Sequence, residues 1–458
     1  MNLSIASLDE WYSTHEHELL EDFFSFLRFK GISTDPSHKQ DCLDTAHFLV
    51  DYLSKIGMES SLFQNPGLPV VFAEHKAGED KPSVLIYQHY DVQPVDPIDL
   101  WDSDPFSPLI KDGKIYARGA SDNKGQCFAS LMALKAVLEA FPDFPLNIKL
   151  FIEGEEESGG SGTAVTLNEK RALLKADYLL VVDFDIPREN TPGITLGMRG
   201  ITTLNVECQN ARQDLHSGVH GGVALNPIRA LTEVIAKLWD ENGTIAIPHF
   251  YEDITPFSPI ELEKVNLSFD KESYIKDFEV KAFCNEKGKS LKESNWLRPS
   301  LEINGICGGY TGIGFKTVIP AKAYAKISCR IVPGQNPQKV EQDITHFLEN
   351  NIAKGVDIRI EPHHSASAFR TSPHAKIVQV VAQSQREVFG VAPEYTLCGA
   401  SVPIVASLSE VTGAEVALFG TSLSTDNFHS PNEHFAIHRL KQGFMTMARI
   451  LCHLAEVN

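Results

Sequence analysis

Four short apolar runs are each followed by side chains able to bind divalent cations. His89 and Asp91 come after Val84 to Gln88, Glu153 to Glu157 after Ile148 to Ile152, Asp183 and Asp185 after Tyr178 to Val182, and His429 after Val416 to Gly420. Imidazole and carboxylate donors together suit zinc, manganese or cobalt. Two histidines with three or four carboxylates suffice for a two-metal hydrolytic site.

Taken singly, each member also has a plainer reading. In His89-Tyr90-Asp91 the spacing of two places both side chains on one face of a strand. One ring nitrogen of His89 is then free for a metal while Asp91 orients the other; alternatively, this is a strand-end histidine beside a solvated Asp. Asp122, in Gly119-Ala120-Ser121-Asp122-Asn123-Lys124-Gly125, stands where a loop enters a helix. It serves there as a cap, as a carboxylate bridging two cations, or as both. In Glu153-Gly154-Glu155-Glu156-Glu157-Ser158-Gly159 the four carboxylates repel one another unless something positive lies among them. The choice is between a solvated acidic turn and a pair made of one metal ligand and a neighbouring general base.

Asp183 and His429 are individually ordinary strand-end and loop residues. The glycine-rich Asp214-Leu215-His216-Ser217-Gly218-Val219-His220-Gly221-Gly222 is either a flexible turn ahead of the helix start at Asn226-Pro227 or a carrier of functional histidines. Arg330, within an apolar alternation, either faces solvent or forks onto a substrate carboxylate. What sets the group apart is its recurrence, because in open parallel sheets ligands gather at the carboxyl ends of the strands.

The elements that must position these residues are legible as patterns. Helical spacing of apolar residues over Lys124 to Phe141, Ala375 to Phe389 and Leu440 to Leu454, alternating with the short strands, predicts an α/β fold with a mostly parallel sheet and helices on both faces. From about Arg199 to Ala368 the pattern changes. Thr202 to Cys208 and Ala321 to Ile331 alternate polar with apolar, and Pro227 to Trp239 is amphipathic. A smaller α+β domain over 200–369 is therefore expected inside a larger one formed by 1–199 and 370–458. The polar stretch Asp253 to Trp296 reads as an irregular surface excursion.

The 458-residue composition narrows the partners. Lys plus Arg total 41 against 60 Asp plus Glu, a formal charge of 41 − 60 = −19, which argues against nucleic acid or an anionic membrane surface. No run approaches the roughly 20 apolar residues of a membrane span. Eight cysteines without a Cys-x-x-Cys pair point to neither a thiolate metal site nor a redox motif. The first ten residues carry no basic, apolar leader, so a cytoplasmic protein with reduced thiols is expected.

These motifs, in this order and over nearly the whole chain, resemble the carnosinase and cytosolic non-specific dipeptidase group of cocatalytic metallopeptidases. Wider relatives of that group include aminoacylase, carboxypeptidase G and the acetylornithine and succinyl-diaminopimelate deacylases. The resemblance implies a zinc-exopeptidase-like domain with an inserted lid and dimerisation domain, and hydrolysis of a dipeptide or short peptide by a metal-bridging water. Two divalent ions per subunit are implied, zinc first with manganese or cobalt as alternatives. His89, Asp122 and Asp183 would hold one, and Asp122, Glu157 and His429 the other. Glu156 falls at the general base and Asp91 at the support of the first histidine. His216 matches a histidine that reaches the partner subunit's site in dimeric members, so a homodimer is implied. Arg330 matches the residue that grips a dipeptide's carboxylate, and Thr317, in Gly314-Phe315-Lys316-Thr317-Val318-Ile319-Pro320, lies near substrate. Gly399-Ala400-Ser401-Val402-Pro403 stands where relatives often carry Gly-Gly-Ser-Ile-Pro, which puts Gly399 and Ser401 at the substrate as well. An N-acyl amino acid amidohydrolase would use the same groups; a non-catalytic binding protein would be expected to lack one of them.

Overall fold

The computed structural model describes residues 4–267, 269–284 and 286–456. They form two compact units, one of residues up to 196 with 371–396 and 407 onward, the other of 197–370 with 397–406.

The sheet of the first unit runs Glu59–Phe63, Val70–His75, Asn147–Glu153, Ser83–His89, Tyr178–Val182, Glu415–Phe419, Gly193–Met198. The four strands from Asn147–Glu153 to Glu415–Phe419 are parallel neighbours. Their runs are apolar because both faces are covered: Val84, Leu85, Ile86 and Tyr87 are all fully buried. The flanking strands pair antiparallel, so the sheet is mixed, with its parallel part confined to the centre. The short link from Phe63 to Val70 explains one such edge, since antiparallel neighbours need only a tight connection while parallel ones need a crossover. The helix Lys124–Ala140 is buried on almost every side and packs against Ile437–Ala455, so the turn that enters it sits deep in the unit.

The second unit has a four-stranded antiparallel sheet in the order Ser300–Gly308, Lys322–Ile331, Gly200–Gln209, Asp357–Ala366. Burial alternates residue by residue along Gly200–Gln209 and Lys322–Ile331. The inward set, including Leu204, Val206, Ala325 and Ile327, packs with Leu231, Val234, Ile344 and Leu348 of the helices Pro227–Ala236 and Pro337–Asn351. The expected irregular excursion over Asp253 to Trp296 instead holds three short helices, Pro259–Lys264, Lys271–Phe278 and Leu291–Trp296. Two of them start on capping boxes, Ser258 with Glu261 and Ser290 with Glu293, which satisfy the first-turn N–H groups without an apolar stripe. Among the described residues no helix is long and apolar enough to cross a membrane.

Candidate metal centre

The strand Ser83–His89 ends on His89, whose Nε2 lies 3.1 Å from Asp122 Oδ1 and 3.6 Å from Asp183 Oδ1. His429 Nε2 lies 2.9 Å from Asp122 Oδ2 and 3.2 Å from Glu157 Oε1. The two oxygens of Asp122 thus face different histidines. The donor atoms of His89, Asp122 and Asp183 fall within 4.8 Å of one another, and so do those of Asp122, Glu157 and His429. A four-coordinate ion with bonds of about 2.0 Å holds its ligand atoms about 3.3 Å apart, in the middle of the observed separations. Glu157 Oε1 is buried beside the His429 ring nitrogen, at 3.2 Å, and a cation between the two would satisfy both. The donor set therefore fits a pair of divalent ions sharing Asp122.

Asp122 does not cap the helix that follows it, which starts without a side-chain cap. Asp91 lies past the end of its strand rather than on it, so the same-face spacing does not apply. His89 Nδ1 meets the main-chain oxygen of Asp91 at 3.1 Å, with the carboxylate at 3.4 Å. The other carboxylate oxygen of Asp91 accepts the Glu157 N–H at 3.1 Å, so one residue supports a donor of each group. Two further supports carry no metal signature in sequence: Asn123 Nδ2 donates to Asp183 Oδ1 at 2.7 Å and Gln93 Nε2 to Glu157 Oε2 at 2.8 Å.

The crowded glutamates divide by partner. Glu153 accepts the hydroxyls of Tyr87 and Thr163, each at 2.6 Å, and burial pushes its carboxyl up to about 7. Glu155 takes the Thr163 N–H at 3.2 Å and turns towards Gly67, Gly160 and Gly162. Glu156 is held among the charges of His89, Asp183, Glu157 and Asp122. Burial first, then Asp183, Glu157 and Asp122 against the opposing pull of His89, raise its carboxyl well above the ordinary range.

Protonation follows from this crowding. Burial and the Asp122 charge bring Glu157 up to about 6. Hydrogen bonds to Asp122 and Glu157 lift His429 to about 10. Burial opposes charge on His89, but Asp183 and hydrogen bonds to Asp122, Asp183 and Asp91 outweigh it and hold the ring well above its usual value. The whole centre is short of positive charge. Asp122, Glu156, Glu157 and Asp183 when ionised carry four negative charges, which two divalent ions balance.

The other candidate residues belong to the second unit. His216 and Thr317 are brought together: Leu215–His216 pairs antiparallel with Val318–Ile319, and Ser217 N–H donates to the Thr317 carbonyl at 2.9 Å. The Gly218 N–H donates to His216 Nδ1 at 3.0 Å, which leaves the ring proton on Nε2. Arg330 Nη1 donates to Ser401 Oγ at 2.9 Å, and Ser401 Oγ donates to the Arg199 carbonyl at 2.6 Å. Gly399 accepts from Arg199 Nε at 2.8 Å. Among the described residues no carboxylate pairs with Arg330.

A mixed sheet whose parallel centre, with the turns and loops beyond its strand ends, brings imidazoles and carboxylates into two adjoining ligand groups defines a metallohydrolase of the two-metal kind. Residues 85–453 match the model of peptidase family M20/M25/M40, and the chain belongs to that family; it is a metallopeptidase. It is 31% identical to the human Beta-Ala-His dipeptidase, over 98% of this chain and 92% of the relative. Among solved structures, the M20 family metallo-carboxypeptidase Sso-CP2 of Sulfolobus solfataricus superposes with a TM-score of 0.86 at 30% identity, covering 96% of this chain and 100% of that one. The dipeptidase Dug1p of Saccharomyces cerevisiae gives 0.82 at 26% identity, with 100% of both chains covered.

Proposed function

We propose that this metallopeptidase hydrolyses the amide bond of dipeptides or short peptides with a free C-terminal carboxylate. The observation that carries the reading is the pair of donor groups sharing Asp122, with Glu156 among them. Divalent cations there would be held by His89, Asp122, Asp183, Glu157 and His429, and would supply Lewis acidity for the attacking water and the scissile carbonyl. Glu156 takes a proton from the attacking water as its oxygen adds to the scissile carbonyl, and gives it to the amine as the C–N bond breaks, acting first as base and then as acid.

His216 donates its Nε2 proton to the oxygen that gains charge at the scissile carbonyl. Arg330, free of any carboxylate, forks onto the terminal carboxylate of the substrate. Ser401 orients Arg330, while Gly399 and Thr317 line the substrate. The metals are zinc, or manganese or cobalt in its place, as imidazole with carboxylate suits all three. His216 serves the site of a second copy in a homodimer, with 200–369 as the lid and dimerisation domain. In support, Val219, Val223, Ile313 and Phe315, on the loops around His216 and Thr317, are 68%, 83%, 102% and 102% exposed, an apolar surface that association would cover. A cytoplasmic setting accords with the absence of any disulfide among the described residues.

The test is a hydrolysis panel on metal-reconstituted protein. Dipeptides are expected to be cleaved and N-acetyl amino acids to be poor substrates. Cleavage of the acylated amino acids alone would make it a deacylase, and failure to bind any divalent ion would sink both readings.

A further inference from the structure

Glu433 lies four residues past His429 and is wholly buried. One of its oxygens accepts from Arg118 Nη1 at 2.7 Å and from the Gly119 N–H at 2.9 Å. The other accepts the N–H groups of Ser121 at 2.9 Å and of Asp122 itself at 3.0 Å. A single carboxylate thus gathers three peptide N–H groups of one turn. That turn can close only because Gly119 has a φ of +79°, where a Cβ would also meet Val92 at 2.6 Å. The main chain joins in, since the Ala117 N–H donates to the Glu433 carbonyl at 3.1 Å.

We infer that Glu433 is a positioning residue: it ties the turn that carries Asp122 to the segment that carries His429, and so sets the spacing of two donors of the same ion. This rests on the two-ion reading of the centre. The group Asp122, Glu157 and His429 depends on that link for two of its three donors, and His429 stands on a loop with a left-handed φ of 61°. In the group of His89, Asp122 and Asp183, two donors come directly from strand ends, so only Asp122 depends on the link. The ion held with His429 is therefore the one that a loosened tie releases.

The experiment is a chelator-competition titration of metal-free protein with Zn²⁺ or Mn²⁺, beside thermal unfolding of the same samples. Glu433→Gln turns an amide N–H₂ towards N–H donors. It is expected to bind its first ion normally and its second about 10- to 100-fold more weakly, the range for lost outer contacts of a metal ligand. Arg118→Lys weakens the buried ion pair but keeps the three peptide contacts, and is expected to lose thermal stability while holding both ions. Two ions at wild-type affinity in Glu433→Gln would overturn the inference, as would loss of the second ion in Arg118→Lys. If Glu433→Gln does not fold, Glu433→Asp decides: a weakened second ion supports the inference and two tight ions overturn it. Wild-type protein that itself binds fewer than two ions would instead remove the two-ion reading.

Discussion

Glu156 and its neighbours illustrate how side chains of one type acquire different jobs. Four glutamates within five positions are chemically alike as a string, yet hydroxyl donors occupy Glu153, a peptide N–H occupies Glu155, and the last two face the histidines and aspartates. Glu156→Gln is expected to lower kcat about 10²- to 10⁴-fold with both ions retained, read by turnover and elemental analysis of the same sample. As the proposed base, Glu156 must be ionised to act, so activity should fall as pH drops through its pKa in the metal-loaded enzyme. That pKa is read as the acid limb of kcat/KM against pH, which Glu156→Gln should abolish. Arg330→Met should lower kcat/KM on a free dipeptide roughly 10- to 100-fold, corresponding to about 1.5–3 kcal/mol for a hydrogen bond to a charged group, and leave a C-terminally amidated analogue unaffected.

Among the elements, the strand ends do most of the positioning and the loops beyond them do the sharing. Asp91 serves both metal groups through His89 and the Glu157 N–H, so Asp91→Asn is expected to weaken ion binding about 10- to 100-fold with the sheet intact by circular dichroism. Glu153, at the end of its strand, predicts a stability effect of opposite sense to the common carboxylate case. Its folded pKa is raised to about 7 from 4.5, so the folded chain holds a proton that the unfolded chain releases between those values. The stabilisation is complete below the unfolded pKa and is lost as pH rises through the folded one. Thermal unfolding of metal-free Glu153→Gln should accordingly show a flatter pH dependence between about 4.5 and 7 than the wild type.

For the molecule as a whole, the proposed role of His216 in a second copy can be tested by mixing subunits. Glu156→Gln keeps His216 and lacks the base, while His216→Ala keeps the base and lacks the histidine. Co-refolded in equal amounts, these inactive chains should recover about a quarter of wild-type activity, because half the dimers are mixed and each mixed dimer holds one complete site. No recovery would confine His216 to its own subunit, and a His216→Ala chain active by itself would remove its role altogether. The four parallel strands, the helices Lys124–Ala140, Lys376–Phe389 and Ile437–Ala455 and the alternation of Gly200–Gln209 and Lys322–Ile331 were legible in the sequence, because burial on both faces leaves continuous apolar runs and burial on one leaves alternation. The helices Ile5–Leu27 and Lys39–Lys55 were not picked out. The short helices between Asp253 and Trp296 were missed, since their caps are polar and they lack a long apolar stripe. Gln93, Asn123 and Glu433 escaped notice for a related reason: nothing in an amide or an isolated glutamate marks it as the support of a ligand.

Donor chemistry and element type are local properties, and the amino-acid string alone determined both: which residues can bind a cation, and that several of them stand at the ends of apolar strands. The grouping was decided only by the tertiary structure. Positions 89, 122, 157, 183 and 429 meet because of strand order and crossover connections, which are long-range. So too was the sharing of Asp122, whose two oxygens point to different histidines only because one buried turn, held by peptide N–H bonds, aims the carboxylate between them.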